Sequence, residues 1–309
     1  MSHYSACEIS VVVPIMNEEE CVAVLFERIR TVLQNLGRPY EVILVDDGSM
    51  DGTYGILCEL ARAWKGILRV VRFRRNYGQT AAMSAGFDLA RGKTIVTMDG
   101  DLQNDPADIP RLLEKLEQGY DLVSGWRIKR QDASLTRKLP SCAANWLISR
   151  CTGVRIHDYG CSLKAYRAEV LKGLRFYSDM HRFFPALIAN LTGARVAEIP
   201  VAHYPRTTGR SKYGLARTFR VMADIITLVV LTRFVTRPIY WFGFCAVPFL
   251  LLGTMLASFS GLIGASFALF TAGFLFVTQG ILCEYVVRTG EFSLASNIRL
   301  SEAGGVGHA

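Results

Sequence analysis

Two aspartates separated by one glycine, Asp99-Gly100-Asp101, are the residues best placed to do chemistry, with Gln103 two positions on. They follow a β-branched run, Thr94–Met98, that reads as a strand. Carboxylates just past a strand end can both face a divalent cation that bridges a diphosphate. Every donor in the set, including the neutral amide oxygen of Gln103, is oxygen, which suits Mg²⁺ or Mn²⁺ and not zinc. The competing reading is a solvated acidic loop. A second acidic cluster, Asp46-Asp47-Gly48-Ser49 continuing to Asp51-Gly52-Thr53, also follows an apolar run, Glu41–Val45. There Asp46 or Asp47 can accept hydrogen bonds from a uracil, guanine or ribose edge, although Asp, Gly and Ser together also make an ordinary turn.

Basic residues form two further groups. Arg127, Lys129, Arg130 and Arg137 lie within one stretch, and Arg206, Arg210 and Lys212 lie within His203–Tyr213. Guanidinium forks match phosphate oxygens in pairs, so both groups are candidate phosphate contacts. Taken singly, each is equally readable as a solvated surface cation.

These residues need a scaffold. Strand-like runs at Ile9–Pro14, Glu41–Val45, Ile67–Phe73, Thr94–Met98 and Asp121–Ser124 alternate with helical patterns at Glu18–Leu36, Tyr54–Trp64, Gly78–Arg91 and Pro106–Gln118. Repeated strand–helix units predict an α/β domain with a mostly parallel sheet. Ligands then bind outside the carboxyl ends of the strands, where both acidic clusters fall. The composition changes near residue 213. Leu215–Val235 mixes apolar residues with Arg217, Arg220, Asp224 and Arg233 and reads as an amphipathic helix lying in a membrane interface. Residues 238–283 contain no Asp, Glu, Lys, Arg or His, long enough for two membrane crossings of roughly 20 residues each with a turn near Ser258–Gly264. Arg233 and Arg237 precede the pair, and Arg288 and Arg299 follow it, which places both ends and the α/β domain on the cytosolic side. The expected divisions are a catalytic domain over 1–213, the interfacial helix over 214–237, the transmembrane hairpin over 238–287 and a cytosolic tail over 288–309.

Composition narrows the alternatives. The 309 residues carry a formal net charge of +8, and charged residues make up 20%. The basic excess points to anionic partners such as phosphates, a nucleotide or a membrane surface. No zinc-finger spacing, RNA-recognition signature or basic zipper accompanies it, so nucleic acid is not an expected partner. Eight cysteines include no C-x-x-C pair and read as reduced thiols. No G-x-G-x-x-G follows the first strand, which argues against a dinucleotide oxidoreductase. Gly86–Thr94 only approximates a P-loop: five residues separate its glycines where four are needed, and it precedes a strand. His157, His181 and His203 show no metal-ligand spacing, and Ser211 has no evident catalytic partners. The N-terminus has no basic region followed by an apolar one, so no secretory signal is expected.

Five segments in order, VVVPIMNEEE (Val11–Glu20), VDDGSMDGT (Val45–Thr53), RNYGQTAAMSAGFDLARG (Arg75–Gly92), MDGDLQNDP (Met98–Pro106) and RTTGRSKYG (Arg206–Gly214), resemble the inverting glycosyltransferases of family two. The chain is more closely similar to the group of dolichyl-phosphate mannosyltransferases and bactoprenol (polyprenyl-phosphate) glucosyltransferases, over about residues 8 to 290. The resemblance implies a GT-A, Rossmann-like nucleotide-sugar domain followed by an interfacial helix and two transmembrane helices. It implies that Pro14, Asn17 and Glu18 line the nucleotide site, that Asp46 contacts base or ribose and that Asp47 lies in the same pocket. Asp99, Asp101 and Gln103 match the metal motif for Mg²⁺ or Mn²⁺. Arg127 and Arg130 match acceptor-loop residues, and Arg206 and Lys212 match residues near the lipid phosphate, with Asp101, Arg127 and Arg130 in catalytic roles. The implied reaction moves one sugar, UDP-linked, from a nucleotide-sugar to polyprenyl phosphate with inversion, for cell-envelope glycan or lipid modification. The implied setting is the bacterial inner membrane, and a homotetramer is suggested for bacterial members. Two departures bear on this. The Gln-x-x-Arg-Trp segment of processive synthases is absent, which favours single transfer. No extra carboxylate stands as a base, which a phosphate acceptor does not require because it is already ionised near neutral pH. A glycolipid-forming transferase using a lipid hydroxyl, and a non-catalytic lipid- or nucleotide-binding membrane subunit, are the alternatives.

Overall fold

The computed structural model describes residues 7–128, 148–150, 152–174, 176, 180–205 and 237–289. Lys129, Arg130, Arg137, Arg206, Arg210, Ser211 and Lys212, the expected interfacial helix and the tail beyond residue 289 lie outside the described residues. The chain forms two compact units, Met1–Ile225 and Ile226–Ala309.

The first unit is built on a seven-stranded sheet. Its strands are β1 (Ile9–Ile15), β2 (Tyr40–Asp46), β3 (Leu68–Arg72), β4 (Thr94–Thr97), β5 (Leu122–Trp126), β6 (Lys164–Arg167) and β7 (Val196–Pro200), in the spatial order β3-β2-β1-β4-β6-β5-β7. Strands β1 to β4 are mutually parallel, as the alternating pattern predicts. The sheet is nonetheless mixed, because β6 runs antiparallel to both β4 and β5. Chain order reverses at β1, which pairs with β2 on one side and β4 on the other. The crevice outside Ile15 and Thr97 is therefore the switch point where open α/β sheets take ligands.

Helices cover both faces. Helix α1 (Val22–Leu36) buries Val22, Leu25, Phe26, Ile29 and Leu33 on one stripe, beside α2 (Thr53–Ala63) and α4 (Ile109–Glu117). Each such side chain fully buried contributes about 1.5–3 kcal/mol. On the other face lies α3 (Gln79–Leu89), so close to β1 that a Cβ on Gly86 would stand 2.2 Å from Val12 Cγ1. There Phe87 meets Tyr166 and Phe184, the latter opening α5 (Phe184–Thr192).

Two helices start later than their patterns suggest. Residues 16–21 precede α1 as a loop, because Asn17 has a left-handed φ of 54° and the loop's polar groups are drawn to the next strand end. Pro106–Asp108 is a 3₁₀ turn, capped by Asp105 accepting the Ala107 amide at 3.0 Å, before α4 begins.

The second unit is a helical hairpin of α6 (Pro238–Ala257) and α7 (Ile263–Thr289). The backbones approach at glycines. A Cβ on Gly273 would lie 2.7 Å from Leu250 Cδ2, and one on Gly280 would lie 2.8 Å from Phe242 Cβ. Ser266 Oγ donates to the Gly253 carbonyl at 2.8 Å. Small residues with a crossing hydroxyl bond are how helices associate where no hydrophobic effect drives them together. Both helices have a mean hydropathy of 1.8 over a spanning window, yet only 11% of each window is buried, and Phe244, Leu251, Phe267 and Phe274 point outward.

Candidate active site

Three loops at the β1/β4 switch point are bonded into one rim. Asn17 N–H donates to Ser49 Oγ (2.9 Å), and Met50 N–H donates back to Asn17 Oδ1 (2.9 Å). Glu18 N–H donates to Thr53 Oγ1 at 2.9 Å, and Gly52 N–H to Glu19 Oε2 at 2.7 Å. The turn after β2 is thus stitched to the loop after β1. Asn17 supplies the left-handed corner that its short amide side chain tolerates better than most residues.

Asp46 and Asp47 are both buried but serve differently. Asp47 is fully engaged: its Oδ1 accepts from Tyr77 N–H at 2.7 Å and its Oδ2 from Gly78 N–H at 2.9 Å. Burial pushes its pKa up against the pull of those two amides. Next to it, Gly48 has a φ of 75°, and a Cβ there would come within 2.6 Å of the Arg75 backbone. Asp47 and Gly48 therefore fix the Arg75–Gly78 loop. Asp46 accepts the Ser49 amide on Oδ1 at 2.9 Å, while its Oδ2 is buried, 3.5 Å from Arg72 Nε and without a hydrogen-bond donor among the described residues. An acceptor left in that state is costly to keep dry. Arg72 in turn has its guanidinium carbon over the Tyr54 ring, 4.0 Å from the centroid. An acceptor oxygen beside an aromatic–guanidinium platform suits a planar base that donates an N–H.

The Asp99–Asp101 loop packs directly on the end of β1. A Cβ on Gly100 would meet Ile15 Cδ1 at 2.6 Å and the Pro14 carbonyl at 3.3 Å, so a side chain there would crowd the end of β1. Asp99 Oδ1 accepts from Gln79 Nε2 at 2.6 Å, and Asp101 Oδ1 accepts the Gln103 amide N–H at 3.2 Å. Leu102 between them has a φ of 61°, a strained value for a non-glycine residue. Gln103 ties the loop to a later segment: Tyr204 N–H donates to its carbonyl at 2.9 Å, and its Nε2 reaches the Tyr204 carbonyl at 3.4 Å. Among the described residues no group of three or more His, Cys, Asp or Glu side chains is disposed to hold a metal. Asp99 and Asp101 fit a hard divalent cation that takes its remaining oxygens from a diphosphate and water.

Beside this loop stands a buried charge cluster. Arg127 Nε and Nη2 grip Asp158 Oδ2 and Oδ1 at 2.7 and 2.9 Å. Burial alone would lower the Arg127 pKa, but Asp158 outweighs it and the guanidinium stays charged. Glu198 of β7 accepts the His157 and Asp158 amides, and His157 stacks on Trp126 at 4.3 Å. Lys164 of β6 is buried and donates to the carbonyls of Tyr159 and Cys161. Burial lowers its pKa, while Cys161, Asp158 and Asp99 favour its charge. Burial also pushes the Cys161 thiol up to about 11. Thr80, buried, and His181, half-buried, form a further contact, with Thr80 Oγ1 3.0 Å from His181 Nδ1.

Residues 10–180 match the model of Glycosyl transferase family 2. The chain belongs to this family. Over 302 residues it is 42% identical to dodecaprenyl-phosphate galacturonate synthase of Rhizobium johnstonii, covering 91% of this chain and 88% of that one. It is 39% identical over 292 residues to the undecaprenyl-phosphate 4-deoxy-4-formamido-L-arabinose transferase of Pectobacterium carotovorum, covering 91% and 88%. Among solved structures, glucosyl-3-phosphoglycerate synthase from Mycobacterium tuberculosis in complex with Mn²⁺, uridine-diphosphate and phosphoglyceric acid superposes with a TM-score of 0.56. It shares 19% identity and covers 74% of this chain and 79% of that one. The fold is GT-A.

Within this family 2 domain the structure gathers Pro14, Asn17, Glu18, Asp46, Asp47, Asp99, Asp101 and Gln103 at one end of the sheet. The side chains of Asn17 and Asp47 join loops, and the Gln103 amide nitrogen reaches the Tyr204 carbonyl. Arg127 lies at the end of β5 with its fork turned onto Asp158. Sequence reasoning missed Asp158, Lys164, Thr80 and His181. Their partners lie 31 and 101 positions away for Asp158 and Thr80, beyond any local spacing rule. An Asp two residues before a glycine, Asp158-Tyr159-Gly160, was the one available hint, and it reads equally as a turn.

Proposed function

We propose that this protein transfers a single sugar from a UDP-linked nucleotide-sugar to polyprenyl phosphate, with inversion at the anomeric carbon. The observation that carries the reading is the Asp99-Gly100-Asp101 loop, wedged against Pro14 and Ile15 at the switch point of a family 2 domain. The two relatives, each matched over 91% of this chain, are by name prenyl-phosphate sugar enzymes, and that supports the acceptor class.

In this reading Asp46 Oδ2 accepts the uracil N–H and the Tyr54–Arg72 platform lies against the base. Asp99 and Asp101 hold Mg²⁺ or Mn²⁺, which when bound supplies positive charge beside the departing diphosphate. A phosphate oxygen of the acceptor attacks the anomeric carbon from the face opposite the leaving group. The new C–O bond forms as the sugar–diphosphate bond breaks, and the nucleoside diphosphate departs with the electron pair. The acceptor oxygen is already ionised near neutral pH, so the site needs no side chain to remove a proton. Arg130, Arg206 and Lys212 contact the acceptor phosphate. Arg127 contributes through its fixed pair with Asp158.

The α6–α7 hairpin anchors the enzyme in the bacterial inner membrane, its outward apolar surface meeting lipid and its flanking arginines keeping both ends cytosolic. Homotetrameric assembly is part of the same proposal. The test is transfer by the purified protein in detergent, with undecaprenyl phosphate and a panel of nucleotide-sugars that includes the galacturonic acid and 4-formamido-arabinose donors. The expected result is an acid-labile lipid-linked sugar, lost by orders of magnitude in Asp101→Ala at unchanged thermal stability. An acid-stable product would assign a lipid hydroxyl acceptor instead, and near-normal transfer by Asp101→Ala would remove the metal assignment.

A further inference from the structure

Three consecutive residues at the start of α3 are each held by a different part of the chain. Gly78 N–H donates to Asp47 Oδ2 at 2.9 Å, and Gln79 Nε2 donates to Asp99 Oδ1 at 2.6 Å. Thr80 Oγ1 accepts the backbone N–H of His181 at 3.1 Å and lies 3.0 Å from His181 Nδ1. Between the fixed loop on one side and His181 on the other, Gln79 is the residue that reaches the Asp99 carboxylate.

The His181 side of this arrangement is packed against the core. His181 belongs to the 3₁₀ turn Met180–Phe183, in which Met180 and Phe183 are buried. The turn runs directly into α5, whose first residue, Phe184, packs on Phe87 of α3 with ring centroids 5.8 Å apart. A hydroxyl has two lone pairs and one proton. With the amide of His181 filling one acceptor position, the Thr80 proton is available to donate to Nδ1, which requires the bare nitrogen of a neutral imidazole. Burial, then the charges of Arg182 and Lys164, push the His181 pKa down to about 3, so the ring is in that neutral form at working pH. His181 thus meets Thr80 Oγ1 twice, through its backbone N–H and through its ring nitrogen.

We propose that the Thr80–His181 pair is a positioning device that fixes the first turn of α3 so that Gln79 holds Asp99 oriented for the divalent cation. The Gln79 bond occupies Asp99 Oδ1 and leaves Oδ2 as the oxygen open to a ligand. The proposal rests on the reading of Asp99 and Asp101 as the cation site. It predicts that residues with no contact to the cation set its affinity, as partners of metal ligands commonly do by about 10- to 100-fold.

The experiment measures Mn²⁺ binding to the full-length protein in detergent with UDP, by the electron paramagnetic resonance signal of free Mn²⁺ and without acceptor. Thr80→Val, His181→Ala and Gln79→Met are each expected to weaken binding about tenfold. Thr80→Ser, which keeps the hydroxyl, and His181→Asn, which keeps a polar atom near the position of Nδ1, are expected to stay within about threefold of wild type. Melting temperatures separate this from unfolding, and Gln79→Met, which leaves both residues of the Thr80–His181 contact in place, covers the case in which His181→Ala does not fold. Unchanged Mn²⁺ affinity in Thr80→Val and Gln79→Met would overturn the proposal. Wild-type affinity in Asp99→Asn would instead overturn the cation-site reading on which it rests.

Discussion

Arg127 and Asp158 face each other through two parallel hydrogen bonds, Nε to Oδ2 at 2.7 Å and Nη2 to Oδ1 at 2.9 Å, with the Arg127 amide adding a third at 3.3 Å. Both side chains are close to fully buried, at 11% and 6% exposure. A guanidinium committed in this way meets an incoming phosphate as half of a neutral pair, so its steering effect is less than that of a free cation. Removing one partner strands the other charge, which costs about 3–5 kcal/mol in a buried pair. Asp158→Ala is therefore expected to lower the melting temperature of the detergent-solubilised protein sharply. The double variant Arg127→Met/Asp158→Leu should recover much of the loss, since an apolar pair of similar volume is often tolerated. A double variant as unstable as Asp158→Ala would mean the pair is held by something other than mutual charge.

Gly100→Ala tests the wedge between the two aspartates. The added methyl must displace Ile15 Cδ1, which is flexible, and crowd the Pro14 carbonyl, which is not. Overpacking of this kind costs about 1–3 kcal/mol, and here it would be relieved by shifting the Asp99–Asp101 loop outward. Turnover should fall at least tenfold, a scale reached by misplacements of about 1 Å, with a modest change in melting temperature. Wild-type turnover would show that the loop's position on β1 is not what sets activity.

The β1–β4 half of the sheet was legible because each strand there is a short apolar run followed by a helical pattern, with a clear apolar stripe in α1 and α4. In the second half β5 was legible as a strand and β6 was not, for a physical reason. Strand β6, Lys164–Arg167, is antiparallel and carries Lys164 and Arg167 at its ends, so it shows neither the apolar run nor the strand–helix order that reveals the first half. Asp46, Asp99 and Asp101 could be placed at the carboxyl end of the sheet because the apolar run before each one marks its strand locally. The loop-joining bonds of Asn17 and Asp47 could not be read, because their partners Met50, Tyr77 and Gly78 lie 30 or more positions away.

His181 gives a pH prediction. Its folded pKa is depressed to about 3 from an ordinary value of 6.5. Between those values the unfolded chain binds a proton that the folded chain does not, so stability rises with pH across that window. The contribution is complete above about pH 6.5 and is lost progressively as pH falls toward 3. Because one proton is worth about 1.4 kcal/mol per pH unit, wild type should lose roughly 1 kcal/mol relative to His181→Asn between about pH 7 and about pH 5.5. Parallel denaturation curves for the two proteins over that range would contradict the burial of a neutral ring.

The hairpin makes its own prediction through two glycines of opposite character. Gly280 of α7 faces α6 so closely that a Cβ would sit 2.8 Å from Phe242 Cβ and 3.3 Å from the Ile239 Cα, whereas Gly243 of α6 has nothing within 4 Å. Gly280→Leu should therefore force the helices apart, forfeiting the contacts that run from Ile239 to Leu250, at a cost of about 1–3 kcal/mol. Gly243→Leu adds the same side chain and the same gain in helix propensity but places it in open space, so it isolates packing from propensity. Thermal aggregation in mild detergent should begin at a lower temperature for Gly280→Leu and at the wild-type temperature or above for Gly243→Leu. Equal behaviour of the two would mean that α6 and α7 do not meet along this seam, because no other property of the substitution distinguishes the two sites.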